Sequence, residues 1–141
     1  MQIKSVVVLD TNVVISGIIS PLGSPGVILR RYQMGDFALL SSPEQIKEIN
    51  DVFKRPKIKK LIPSRVRSEV KTFLDSFHNI ATVIDPPRLK WDFKDTGDYF
   101  LLDLVAHTKP DYLVTGDKAL RSLLLVMRTA ILTPSEFLAA F

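Results

Sequence analysis

Apolar residues along the chain switch between two patterns, short β-branched runs and helical stripes, and the switching predicts an alternation of strands and helices. Ile3 to Leu9 is a short apolar run that ends on an acid, Asp10, which reads as a strand buried on both faces of a parallel sheet. Helical patterns follow from Asn12 to Ile19 and from Pro25 to Gln33, separated by Pro21, Gly23 and Ser24, a turn composition. Phe37 to Leu40 predicts a second strand. Ser41, Ser42 and Pro43 then signal a helix start, with a helix from Glu44 to Phe53 that Arg55 and Pro56 close. From Ser64 to Phe77 the residues Val66, Val70, Phe73, Leu74 and Phe77 fall on one helical face.

A third strand is predicted from Ile80 to Ile84, stopped by Pro86 and Pro87. Then come a helix from Asp98 to His107, a strand from Asp111 to Val114, a helix from Asp117 to Leu125, a strand from Thr129 to Leu132 and a terminal helix from Pro134. Strands alternating with helices of these lengths predict an α/β fold of three layers, α/β/α, around a central, mainly parallel sheet.

With 141 residues, 46% of them hydrophobic, and no low-complexity tract or linker, one globular domain over residues 1–141 is expected. No apolar run approaches the roughly 20 residues that span a bilayer. The opening MQIKSVVVLD carries one lysine and no small-residue cleavage site after it, so a cytoplasmic protein without membrane association is expected. Cysteine is absent, which excludes disulfide frameworks, thiolate zinc sites and thiol nucleophiles. A bound metal must therefore be held by oxygen or by the two histidines, and His78 and His107 read as helix-end residues without a partner at ligand spacing.

The net charge of +4 is a mild bias toward polyanionic partners. Its distribution says more, because Lys54, Arg55, Lys57, Lys59, Lys60, Arg65, Arg67 and Lys71 lie in one stretch against a single acid, Glu69. Alone this is as well read as a solvated surface. Beside an acidic site it becomes a phosphate track, for which Arg55, Lys57, Lys59 and Lys60 are the candidate nucleic-acid contacts.

In open parallel sheets, ligand sites lie beyond the carboxyl ends of the strands. Asp10 closes the first strand and Asp117 follows the strand YLV by two residues, so both carboxylates can overhang one sheet edge. Asp98 begins a helix whose Leu101 and Leu102 must face the sheet, and Glu48 borders the apolar stripe of its own helix. Clustered carboxylates repel one another unless a cation compensates them. Mg²⁺ or Mn²⁺ prefers such all-oxygen ligands, and one or two such ions activate water for phosphodiester hydrolysis. Each acid also has a structural reading. Asp10 and Asp117 suit helix N-caps, Asp98 suits an acid of a first helical turn capped by Asp95, and Glu48 suits a surface position beside Lys47.

The segments VVVLDTNVVISG (6–17), KEINDVFKRPKI (47–58), DTGDYFLLDLVA (95–106) and DYLVTGDKAL (111–120) resemble, in order, the motifs of PIN domains. They are most similar to the bacterial and archaeal subgroup of toxin components of toxin–antitoxin systems, the VapC-like ribonucleases. The resemblance implies Asp10, Glu48, Asp98 and Asp117 as both catalytic residues and ligands of Mg²⁺ or Mn²⁺. It assigns Asn12 and Thr115 supporting roles, Asn12 through a polar amide near the first carboxylate and Thr115 as the hydroxyl beside the last acid. It further implies an RNA substrate, a small antitoxin partner and a homodimer. Two positions depart from the pattern: Gly116, where branches of the family carry Asn, and Asp103, where a small or apolar residue is expected. Asp103 reads as solvent-exposed, because five residues from Asp98 it points to another helix face.

The leading reading is thus a metal-dependent endoribonuclease acting on single-stranded RNA. A structure-specific DNA nuclease ranks lower, because the chain is short. A phosphatase with Asp10 as nucleophile wants a second Asp two positions on, where Asn12 stands. A non-catalytic RNA-binding module should lack one of the acids. Trp91, Phe93 and Tyr99 are read as a hydrophobic clamp over a helix more than as base-stacking groups.

Overall fold

The computed structural model describes residues 4–62, 64, 67–91, 99–121 and 128–141. Its five strands are β1 (Val6–Leu9), β2 (Ala38–Ser41), β3 (Thr82–Val83), β4 (Tyr112–Val114) and β5 (Ala130–Leu132). They form one sheet in the order β3-β2-β1-β4-β5, with every pairing parallel. The helices are α1 (Thr11–Ile19), α2 (Ser24–Gln33), α3 (Pro43–Lys54), α4 (Pro56–Leu61), α5 (Arg67–Ile80), α6 (Tyr99–Thr108), α7 (Lys118–Arg121) and α8 (Pro134–Ala140).

Alternate strand residues feed two separate cores, as the pleat requires. Val7, Leu9, Leu39 and Val114 pack with α1, α2, α3, Phe77 of α5 and Phe137 of α8. Val8, Leu40, Leu113 and Ile131 face the other way, onto Leu101, Leu102, Leu104 and Val105 of α6 and Leu120 of α7. The expected α/β/α layering follows directly from this division. On the first face α1 and α2 come very close. A Cβ on Gly17 would lie 2.5 Å from the Leu29 side chain, and one on Gly26 would lie 2.1 Å from the Pro21 carbonyl oxygen. Gly26 is thus a buried helical residue at a backbone contact, inside the helix expected from Pro25 to Gln33.

The sheet runs from β1 outward to β2 and β3, then crosses to β4 and β5 on the other side. Its switch point therefore lies between the carboxyl ends of β1 and β4, where adjacent connections diverge and leave a crevice. Two boundaries differ from expectation for physical reasons. Pro56 closes α3 but is pre-organised for the first position of a new helix, so the basic residues after Arg55 lie on α4. The third strand is only Thr82–Val83, because the preceding helix continues to Ile80. Among the described residues no single helix is long and apolar enough to cross a membrane.

Candidate active site

Asp10 leaves β1 at the switch point. Its backbone N–H donates to the Val114 carbonyl at 2.9 Å, fixing the end of β1 against the end of β4. The residue is 7% exposed. Its Oδ1 accepts from the Asn12 backbone N–H at 3.3 Å, which makes Asp10 the N-cap of α1. Its Oδ2 accepts from the Thr115 hydroxyl at 2.6 Å. Burial pushes the Asp10 carboxyl above its ordinary value, the nearby Asp117 charge adds to that, and the hydrogen bonds from Thr115 and the Asn12 and Thr11 backbone oppose it.

Thr115, fully buried, connects the two strand-end acids. A hydroxyl has one proton to give and lone pairs to accept with. Here the proton goes to Asp10, and the oxygen accepts the Asp117 backbone N–H at 3.0 Å. Asp117 Oδ1 in turn accepts the Ala119 N–H at 2.8 Å at the start of α7. Capping and site-building are therefore performed by the same two carboxylates. Beyond α7, Arg121 meets Glu136 of α8 at 2.9 Å, an exposed pair of the kind that contributes little.

Glu48 enters from α3, one turn after Gln45. The buried Thr11 hydroxyl donates to Glu48 Oε2 at 3.2 Å. Partial burial raises the Glu48 pKa, the Asp10 charge raises it further, and Thr11 and the Arg55 guanidinium oppose the shift. Asp10 thus sits electrostatically between Asp117 and Glu48.

Thr11 and Gln45 are two functional neighbours that sequence reasoning missed. Gln45, 1% exposed, donates through Nε2 to the Leu9 carbonyl and accepts the Ser41 hydroxyl at 2.6 Å, which locks α3 onto the ends of β1 and β2. The available signal was the Ser42-x-x-Gln45 spacing of a capping box. Only half of that box forms: the Gln45 N–H donates to Ser42 Oγ at 3.2 Å, while the Gln45 side chain turns to the sheet. For Thr11 the signal was a polar residue placed directly after the strand-end Asp10.

Of the remaining sequence assignments, Asp98 lies outside the described residues, as do Phe93, Asp95 and Arg65. Asn12 contacts Asp10 through its backbone N–H, and its side chain is exposed. Arg55, Lys57, Lys59 and Lys60 are all exposed at or on α4. Gly116 faces open space, so the Asn of other branches would meet no steric obstacle. The expectation for Asp103 is overturned: it is 6% exposed. Its Oδ1 accepts from the Leu89 N–H at 3.0 Å and from Trp91 Nε1–H at 2.7 Å, so the segment before α6 is strapped across the helix face that was expected to meet water. Trp91 and Tyr99 pack on the second core, as a clamp, and the Tyr99 hydroxyl donates to the Trp91 carbonyl at 3.2 Å.

The donor set suits a hard divalent cation. Asp10, Glu48 and Asp117 offer only oxygen, and an ionised carboxylate such as Asp10 has about four lone-pair sites, more than its hydrogen bonds from Thr115, Asn12 and Thr11 occupy. Burial and mutual repulsion raise the pKa of Asp10 and Glu48, and an added positive charge would relieve both. Among the described residues no three acidic or histidine side chains converge closely enough to complete a metal site by themselves.

A parallel α/β/α sandwich with one buried and two half-buried carboxylates near its switch point defines an α/β protein whose candidate chemistry is acidic. Residues 6–119 match the PIN-domain family, and the chain belongs to it. Its fold is of the nuclease type, and PIN domains generally cleave RNA or DNA with divalent metal ions. Over 148 aligned residues, taking in 99% of this chain and 94% of the relative, it is 31% identical to the uncharacterized protein MJ1680 of Methanocaldococcus jannaschii.

Proposed function

We propose that this protein is an Mg²⁺- or Mn²⁺-dependent endoribonuclease that hydrolyses phosphodiester bonds of single-stranded RNA, with Asp10, Glu48, Asp98 and Asp117 as metal-holding residues. The observation that carries the reading is the Thr115 hydroxyl, which joins Asp10 and the backbone of Asp117 at the sheet's switch point. A divalent ion supplies, when bound, acidification of water and compensation of phosphate charge. The chain's own residues supply the rest. Asp10 is held in one orientation by Thr115 and the Asn12 N–H, Glu48 is held by Thr11, and Asp117 is fixed by its cap to Ala119. Arg55, Lys57, Lys59 and Lys60 attract and align the RNA backbone from beside Glu48.

As a biological role we propose the toxin of a toxin–antitoxin pair, acting as a homodimer and restrained by a small antitoxin. The support is the resemblance of the four ordered motifs to that subgroup. The enzymatic reading is tested by RNA cleavage with Mn²⁺, with EDTA, and in Asp10→Asn and Asp117→Asn. Cleavage by the wild type with Mn²⁺, lost in EDTA and in both variants, is expected. Equal cleavage by all three proteins overturns the reading.

A further inference from the structure

A cleft lies between the end of α3, the helix that carries Glu48, and helices α4 and α5, with a cavity volume of about 330 Å³. Its floor is apolar, formed by Phe53, Ile62, Val70 and Leu74. Lys59, Arg67 and Lys71 stand at its rim, all exposed. Among the described side chains, none that lines it is acidic. An apolar recess with three cations at its rim is complementary to a ligand that joins a flat apolar group to flanking negative charges.

The cleft is also connected to the acids. Phe53 lies five residues after Glu48 on the same helix, a displacement of about 7.5 Å along the axis at 1.5 Å per residue. Arg55, close enough to bias the Glu48 carboxyl, stands at the junction of α3 and α4. Arg55 and then Lys59, both exposed, follow Glu48 along the chain toward the cleft rim and offer a cationic path for a phosphate backbone.

We propose that this cleft receives a nucleobase of single-stranded RNA bound across the candidate active site, while Lys59, Arg67 and Lys71 hold the phosphates on either side of that base. The proposal takes from the ribonuclease reading only the identity of the strand. Phe53 and the aliphatic floor supply the sequence-tolerant apolar contact that single-strand binders use, and the cations supply the backbone contact. A recess of this size takes one such group. An amphipathic helix of an acidic protein partner would instead need a groove long enough for anchors on successive turns.

The test is fluorescence anisotropy of the full chain with labelled oligoadenylate and oligouridylate in EDTA, so that binding is read without hydrolysis. Each strand is compared with versions bearing a single abasic position. Lys59→Ala/Lys71→Ala alters two exposed side chains and should weaken binding about tenfold or more, with the salt slope reduced by roughly 1 per lysine removed. One abasic position should weaken wild-type binding about fivefold or more. The same abasic change should have no effect on Val70→Trp, whose indole fills the recess. Abasic strands that bind the wild type as well as intact ones overturn the proposal. So does binding of a glutamate-rich amphipathic peptide in place of oligonucleotides, which would assign the cleft to a protein partner. Cleavage with Mn²⁺ is read separately on the same preparations. Base-dependent binding without cleavage would keep the cleft and remove the nuclease reading, and cleavage with abasic-insensitive binding would do the reverse.

Discussion

The hydroxyl of Thr115 donates to the Asp10 carboxylate across 2.6 Å, although the two residues are 105 positions apart in the chain. Because the same oxygen accepts the Asp117 N–H, one buried side chain sets both the orientation of the first acid and the turn that presents the last. The register of β1 against β4, Leu9 opposite Val114, is what brings them face to face.

Replacing Thr115 by Val keeps its shape and removes that hydroxyl. The Asp10 carboxylate and the Asp117 N–H each lose a partner in a buried place, so a loss of about 1–3 kcal/mol of stability is expected, measured by urea denaturation. Cleavage of RNA should fall by at least about tenfold in preparations shown to be folded, since the acids lose their shared anchor. Thr115→Ser should retain most of both properties. A Val variant as active and stable as the wild type would remove Thr115 from the account.

Stability should depend on pH through Asp10 and Glu48 in an unusual direction. Both have folded-state pKa values raised above the ordinary carboxyl values of 3.8 and 4.5. Between those values and the raised ones the folded protein binds more protons than the unfolded chain. The derivative of unfolding free energy with pH is then negative for these groups. Their destabilising effect is absent below the ordinary values and complete once pH has risen through the folded ones. In EDTA, Asp10→Asn should therefore gain in Tm relative to the wild type as pH is raised from about 4 to about 8. Added Mn²⁺ should reverse the ranking at the upper end, because only the wild type binds it well. Thermal denaturation of both proteins across that range, with and without Mn²⁺, checks the sign.

Asp103 should matter to the fold more than its place in mid-helix suggests. Asp103→Ala leaves the Leu89 N–H and the Trp91 indole N–H without their acceptor, at an expected loss of about 1–3 kcal/mol. The protein has a single tryptophan, so its fluorescence reports the strap directly. A red-shifted emission maximum in the variant is expected, and an unchanged spectrum together with unchanged stability would mean that the strap does not depend on Asp103.

The contrast between Asp103 and Asp10 shows how far this sequence could be read. Short β-branched runs alternating with helical stripes carry the parallel sheet in their local pattern, and strand-end acids are positioned by that sheet. Asp10 and Asp117 were legible for that reason. Helical spacing places Asp103 on a face away from Asp98, but it cannot show what covers that face. The strap of residues 89–91 is a non-local partner, and it makes an acid on α6 a buried acceptor. Gln45 was illegible for a similar reason. Its spacing from Ser42 fits a local cap, whereas its side chain bonds Leu9 and Ser41 on two strands. Pro56 carried two meanings at once, the end of α3 and the start of α4, and only the first was read from the sequence.

In the proposed site Asp10, Glu48 and Asp117, near the switch point between β1 and β4, hold a hard divalent cation together with Asp98. Crystals soaked in Mn²⁺ and measured at a wavelength where manganese scatters anomalously test it most directly. A peak bounded by the Asp10, Glu48 and Asp117 carboxylates is expected, with any second ion about 3.5–4 Å away, and no peak in Asp10→Asn. Manganese bound elsewhere, or bound at the same place in Asp10→Asn with undiminished occupancy, would contradict it.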